Sequence, residues 1–211
     1  MWFAAVFLLL AVVSTVAFDI QLPKTNKIQP PKFTQVSAGG SHTCGVTNSG
    51  SIECFGSDSQ NQSNGYKSRK ASDGVFIRVS AGLLHTCGVT DKGLIECFGS
   101  DTNDKSNGNK PRQASNGTFT QVSAAHYNTC GVTDKGLIEC FGYDGEGQSN
   151  GHKPRKASDG VFVQVSATYN HACGLTDKGF IECFGSDENG RSNGNKPKIL
   201  PYGSFTQVTV S

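Results

Sequence analysis

The chain has 211 residues, eight cysteines and a formal net charge of +2. So small a net charge sets up no strong field toward nucleic acid or a membrane surface, and no nucleic-acid partner is expected. Trp2 to Val13 is almost wholly apolar, Thr15-Val16-Ala17 supplies small residues, and Asp19 follows. Residues 1–17 therefore read as a cleaved secretory signal, too short for a comfortable span of ~20 residues. No other stretch is long and apolar enough to cross a bilayer. The expected product is secreted, with no membrane attachment once the signal is removed. Residues 18–32 carry Pro23, Pro30 and Pro31 among Lys24, Lys27 and Lys32, and read as an extended arm.

From Phe33 onward the chain repeats itself. Phe33, Phe76, Phe119, Phe162 and Phe205 recur at steps of 43 residues. Each opens a short alternating segment such as Phe33-Thr34-Gln35-Val36, which predicts a strand. The units run 33–75, 76–118, 119–161 and 162–204. A fifth predicted strand, 205–211, ends the sequence.

A hairpin follows each strand. In the second unit, Thr90 and Leu94 flank Asp91-Lys92-Gly93, a three-residue loop with glycine where φ must be positive. That register pairs Thr90 with Leu94, Val89 with Ile95, Gly88 with Glu96 and Cys87 with Cys97. Facing Cα atoms lie roughly 4.5–5.5 Å apart in such a pair, within reach of a disulfide. The same offset recurs at Cys44 and Cys54, Cys130 and Cys140, and Cys173 and Cys183. Eight cysteines allow about 105 pairings, and the repeat leaves four local ones. Zinc is disfavoured because its ligand pairs sit two to four residues apart on a tight knuckle. Disulfides agree with secretion.

Long polar loops close the units: Ser57 to Val75, Ser100 to Thr118, Tyr143 to Val161 and Ser186 to Ser204. Each carries a Ser-Asn-Gly, and loops of this length are expected to hold ordered turns or extra short strands. The period, the three or four short strands per unit and the glycine punctuation indicate an all-β, propeller-like array of four blades. Gly45 opposite Glu53 leaves room for a neighbouring side chain, so both faces of a hairpin can be covered by adjacent blades.

The pattern from Val36 to Gly56, Val-Ser-Ala-Gly-Gly-Ser-His-Thr-Cys-Gly-Val-Thr, a glycine turn, then Ile-Glu-Cys-Phe-Gly, resembles the regulator of chromosome condensation repeat family. The family's Trp-Gly is Phe-Gly here, at Phe55, Phe98, Phe141 and Phe184. The resemblance implies a β-propeller fold, in a family whose rings usually have seven blades. Four units fall short of seven, so an open arc is expected. A nuclear member exchanges nucleotide on a small GTPase and binds chromatin. The signal and disulfides argue against both roles, and a secreted propeller of this style binds an enzyme.

Differences among near-identical units mark candidate recognition positions. Before the hairpins stand Gly39-Gly40-Ser41-His42, Gly82-Leu83-Leu84-His85, Ala125-His126-Tyr127-Asn128 and Thr168-Tyr169-Asn170-His171. Leu83, Leu84, His126, Tyr127, Tyr169 and Asn170 are the candidate ligand-binding residues, because aromatic and large apolar side chains dominate contact energy. His42, His85 and His171 share a repeat position with Asn128, which has no acid–base role, so a turn-fixing histidine is expected. Glu53, Glu96, Glu139 and Glu182 lack a recurring convergent partner and are expected to hydrogen-bond threonine or backbone groups. Lys67/Arg69/Lys70 and their equivalents read as a solvated basic rim, with an anionic glycan as the competing reading. Asn61 and Asn116 begin N-glycosylation sequons. No catalytic, metal or cofactor motif is visible.

The expected function is therefore extracellular binding of a protein or glycan, with a structural or matrix role and hydrolysis as rivals. Self-association through open array ends is a further expectation.

Overall fold

The structure, a computed structural model, describes residues 32–210. The signal and all but Lys32 of the predicted arm lie outside the described residues. Four antiparallel sheets of three strands follow one another. Their strands are β1 (Phe33–Ala38), β2 (His42–Thr47) and β3 (Ile52–Gly56); β4 (Phe76–Ala81), β5 (His85–Thr90) and β6 (Ile95–Gly99); β7 (Phe119–Ala124), β8 (Asn128–Thr133) and β9 (Ile138–Gly142); and β10 (Phe162–Ala167), β11 (His171–Thr176) and β12 (Ile181–Gly185). The sheets form a repeating, propeller-like array that does not close.

The hairpin register is the expected one: Cys87 faces Cys97, Gly88 faces Glu96, Val89 faces Ile95, and Thr90 N–H donates to Leu94 O. Four disulfides bridge Cys44–Cys54, Cys87–Cys97, Cys130–Cys140 and Cys173–Cys183. Their Cα atoms are 4.0–4.1 Å apart, closer than the expected 4.5–5.5 Å. The first strand of each unit extends two residues past its valine, to the small Ala38, Ala81, Ala124 or Ala167.

Three devices hold successive units together. Gly88 makes room for rings, since a Cβ there would lie 2.5 Å from Phe76 Cδ1 and 2.7 Å from Ile52 Cδ1 of the preceding unit. The hairpin glycine is thus the gap through which one blade's isoleucine meets the next blade's phenylalanine. Side chains of one first strand accept from the backbone of the next: Val79 N–H donates to Gln35 Oε1 (2.8 Å) and Ala81 N–H to Ser37 Oγ (3.0 Å). The glutamates complete the set. The Glu96 carboxylate accepts from both the N–H and the hydroxyl of Ser72, as Glu139 does from Ser115 and Glu182 from Ser158. The backbone donor is as expected from sequence, and the side-chain donor is a serine of the preceding loop rather than a threonine.

The loops are ordered by their own polar atoms. Asp58, Asp101, Asp144 and Asp187 each accept the N–H of the serine that opens Ser-Asn-Gly, at 2.6–2.8 Å. That serine's hydroxyl returns to the carbonyl six residues before it. Further along, Arg69, Arg112, Arg155 and Lys198 form single antiparallel bridges with Ile52, Ile95, Ile138 and Ile181. These are the extra strand fragments that the loop length called for.

The predicted fifth strand is corrected. Residues 205–210 contain no regular strand, and among the described residues no second strand pairs with them. They nevertheless dock where a first strand would. Phe205 N–H reaches Gly179 O (3.0 Å), as Phe76 N–H reaches Gly50 O (2.8 Å). Val208 N–H donates to Gln164 Oε1 and Val210 N–H to Ser166 Oγ, repeating the links between internal units.

Candidate functional site

The histidines fix the junctions between units. Thr86 donates its hydroxyl to Gln62 O (2.9 Å), so it accepts from His42 Nε2–H (2.7 Å). His85 and Thr129 repeat the arrangement, with Thr129 donating to Lys105 O. Both rings are neutral Nε2–H tautomers whose Nδ1 lone pairs find no partner. The third junction shows how strict the pairing is. Asn128 replaces the histidine where Ala172 replaces the threonine, so donor and acceptor are lost together. Asn128 instead aims its amide at Cys130 Sγ, 3.8 Å away.

Burial, and then the charges of Lys105 and His42, push His85 down to about 3 from its ordinary 6.5. His42 and His171 are also lowered, chiefly by burial. In the unfolded chain these rings take protons below pH ~6.5, whereas the folded His85 refuses one until pH ~3. Stability contributed this way is present above pH 6.5 and lost as pH falls toward 3. The thermal midpoint is expected to drop steeply from pH 7 to pH 4, with His85 contributing up to ~1.4 kcal/mol per pH unit. The double variant His85→Asn/Thr129→Ala, which copies the third junction, should flatten that slope. An unchanged slope would mean that other groups govern it.

The basic rim is corrected at its arginines, while Lys67, Lys70, Lys110, Lys153, Lys156, Lys196 and Lys198 are exposed as expected. Arg69, Arg112 and Arg155 do not form a solvated row. Their guanidinium carbons lie 5.5, 4.7 and 4.8 Å from the ring centroids of Phe98, Phe141 and Phe184 in the following unit. They stack on the Phe-Gly motif as cation–π clamps.

The variable turns divide into two groups. Tyr127 and His126 precede β8, and Tyr169 precedes β11. Tyr127 and Tyr169 meet edge to face at 5.2 Å between centroids, and His126 meets Tyr169 at 5.5 Å. Tyr143, just after β9, joins Tyr127 at 6.4 Å. The cluster is open to solvent, with Tyr169 49% and Tyr143 40% exposed. Asn170 beside it accepts from Arg191 Nη1 (3.0 Å), and Gln148 Nε2 donates to Tyr169 O (3.3 Å), fixing the turn. Lys105 lies beneath, shut off from solvent, with its ammonium 5.4 Å from the Tyr127 ring and its pKa lowered by burial.

Leu83 and Leu84 take no part in the ring-on-ring contacts. Leu83 crosses over Gly40, its N–H donates to Ala125 O, and with His126 it helps line a shallow hollow of about 270 Å³ at the ends of the first strands. Both leucines are half-buried, and Leu83 is a packing residue between turns as much as a contact. Tyr143 was not singled out by the turn comparison, yet its signal is in the sequence: the residue after Phe-Gly is Ser57, Ser100 and Ser186 in the other units. Lys105 likewise stands where the other units have Gln62, Gln148 and Arg191.

Of the two sequons, Asn61 is exposed but Gln62 and Ser63 beside it are fully buried, while Asn116 and Thr118 both lie on the surface. Among the described residues no group of His, Cys, Asp or Glu is arranged to hold a metal.

Sheet order, junction chemistry and repeat together define an all-β array of propeller blades. Residues 33–62 match the family model for the Regulator of chromosome condensation (RCC1) repeat. The following units repeat that stretch in register, so all four carry the pattern the model matches in the first. Solved structures agree in fold. Human WBSCR16 superposes with a TM-score of 0.63 at 19% identity, over 74% of this chain and 47% of its own. The CRINKLY ectodomain of the Arabidopsis thaliana receptor kinase ACR4 gives 0.58 at 21% identity, over 74% and 54%. Prp20p from Saccharomyces cerevisiae, characterised for binding Gsp1p and histones, gives 0.59 at 15% identity, over 74% and 44%. The chain spans about half the length of these structures. The comparison with curated proteins gave no match.

Proposed function

We propose that this is a secreted recognition protein that binds a protein partner through the ring cluster of His126, Tyr127, Tyr143 and Tyr169. The observation that carries the reading is that the cluster breaks a repeat that is otherwise nearly uniform. Blades one and two have no such rings at these positions. Tyrosines supply large contact area at low entropic cost and are enriched where partners dock. The rings meet edge to face rather than forming one flat platform, which suits a protein surface better than stacking on a sugar. Four disulfides fit an oxidising compartment, and a receptor ectodomain shares the fold. The chain acts by binding rather than as an enzyme under this reading, which needs no cofactor.

Affinity capture from the extracellular medium, with the parent chain and with Tyr127→Ala/Tyr169→Ala, tests it. The double variant is expected to lose a captured protein, with affinity falling at least ~30-fold if each ring contributes ~1–2 kcal/mol. Its thermal midpoint should move little, because Tyr169 is half exposed. Undiminished capture together with a large fall in stability would make the rings blade packing. Loss of capture after glycosidase treatment of the medium would turn the reading toward a glycan.

A further inference from the structure

Within the described residues, unit 1 and unit 4 each carry a face that no neighbouring unit completes. At an internal junction the trailing unit offers a glutamine and a serine from its first strand, a histidine, an isoleucine and an arginine. The leading face of the next unit receives them on two N–H groups, a threonine, a glycine gap and a phenylalanine. In unit 1 no other described unit covers the equivalent leading face. Phe33, Val36 and Phe55 are 49%, 68% and 63% exposed, whereas their equivalents Phe76, Val79 and Phe98 are 1%, 3% and 5% exposed. Among the described residues, Val36 N–H and Ala38 N–H lack the side-chain acceptors that Val79 and Ala81 have.

Unit 4 presents the matching trailing face: Gln164, Ser166, His171, Ile181 and Lys198. Gln164 and Ser166 are taken by residues 205–210. That segment begins Phe205-Thr206-Gln207-Val208, identical to Phe33-Thr34-Gln35-Val36. It fills the place of a first strand, and among the described residues no hairpin accompanies it.

We propose that unit 1 of one copy docks on unit 4 of a second copy, with β1 replacing residues 205–210, so that copies join head to tail. The docked junction reuses internal chemistry. Val36 and Ala38 donate to Gln164 and Ser166, Thr43 accepts from His171, Lys198 covers Phe55, and Ile181 enters the gap at Gly45. The histidine pattern agrees. His42 and His85 face a threonine, Asn128 faces Ala172, and His171 has no following unit within the described residues. Thr43 of a second copy completes the rule. One internal contact is missing: Pro201 stands where Ser72, Ser115 and Ser158 serve the glutamates, and proline brings neither N–H nor hydroxyl. The junction is therefore weaker than an internal one and reversible. The tethered segment competes at high effective concentration, holding single copies until the protein is concentrated. Because the two surfaces differ, the contact is heterologous and propagates into a ring or a filament.

Sedimentation of the full chain tests this. Val208→Pro removes the N–H that ties the segment to Gln164 and leaves both docking faces intact. Loss of one such hydrogen bond is expected to strengthen self-association about five- to tenfold. Phe55→Asp, at an exposed position, should abolish association by disabling the leading face. Ser166→Arg should abolish it by disabling the trailing face. A mixture of Phe55→Asp and Ser166→Arg chains, each inert alone, should form one-to-one pairs and nothing larger. A Val208→Pro chain that stays monomeric to ~100 µM would overturn the proposal. So would self-association of Ser166→Arg chains, which would show two leading faces meeting instead.

Discussion

Complete reduction of the four disulfides is expected to unfold the array at room temperature. Each bond closes a loop of about eleven residues, which in the chain-entropy estimate contributes roughly 3 kcal/mol. Four such contributions total roughly 12 kcal/mol, comparable to the whole net stability of an ordinary domain, ~5–15 kcal/mol. A blade of three short strands has little else to hold its hairpin shut. The cystines also form part of each junction's core: Cys44, Cys87 and Cys130 are wholly buried within the clusters that join one unit to the next. A reductant must therefore wait for local opening, so loss of structure should be slow and then cooperative. Circular dichroism followed over time in excess phosphine reductant reads this directly. A reduced protein with an unchanged melting curve would show that packing alone suffices. Removing one pair, as Cys130→Ala/Cys140→Ala, should cost roughly 3 kcal/mol, with the loss concentrated in the third blade.

The recurring phenylalanines should give unequal effects from identical substitutions. Phe119→Ala empties a ring that is 2% exposed, between Ile95 of the preceding unit and Gly131 of its own. Large-to-small changes at such sites cost ~3–5 kcal/mol, through lost transfer energy and the cavity left behind. Phe33→Ala changes the same repeat position, but its ring is half exposed. It should cost less than ~1 kcal/mol. Urea unfolding of the two variants measures the contrast. In a one-dimensional array a weakened central junction also uncouples the halves, so Phe119→Ala should broaden the transition while Phe33→Ala leaves it sharp. Equal losses would mean that something covers the first unit's face in solution.

Some features of this protein were legible one residue at a time. The 43-residue period located the blades. Asp91-Lys92-Gly93 set the hairpin loop, and with it the Cys87–Cys97 pairing, because a turn of known length fixes register through local geometry. The comparison of near-identical units pointed to Tyr127 and Tyr169, since a uniform background makes exceptions visible. Other features depend on residues 24 to 44 positions apart, where one unit meets the next. The arginines of the polar loops looked like a solvated rim, but they stack on Phe98, Phe141 and Phe184. The serine that satisfies Glu96 lies in the loop of another blade. Residues 205–210 have a strand's sequence without a strand's form, since pairing belongs to two segments and only one is found among the described residues. Composition and spacing thus determined the repeat, the hairpins and the disulfides, whose energies are local. Only the stacking of blades decided what the arginines, glutamates and histidines do, which face of unit 1 is left bare, and that Tyr143 completes the ring cluster, because those contacts exist only once neighbouring units share a surface.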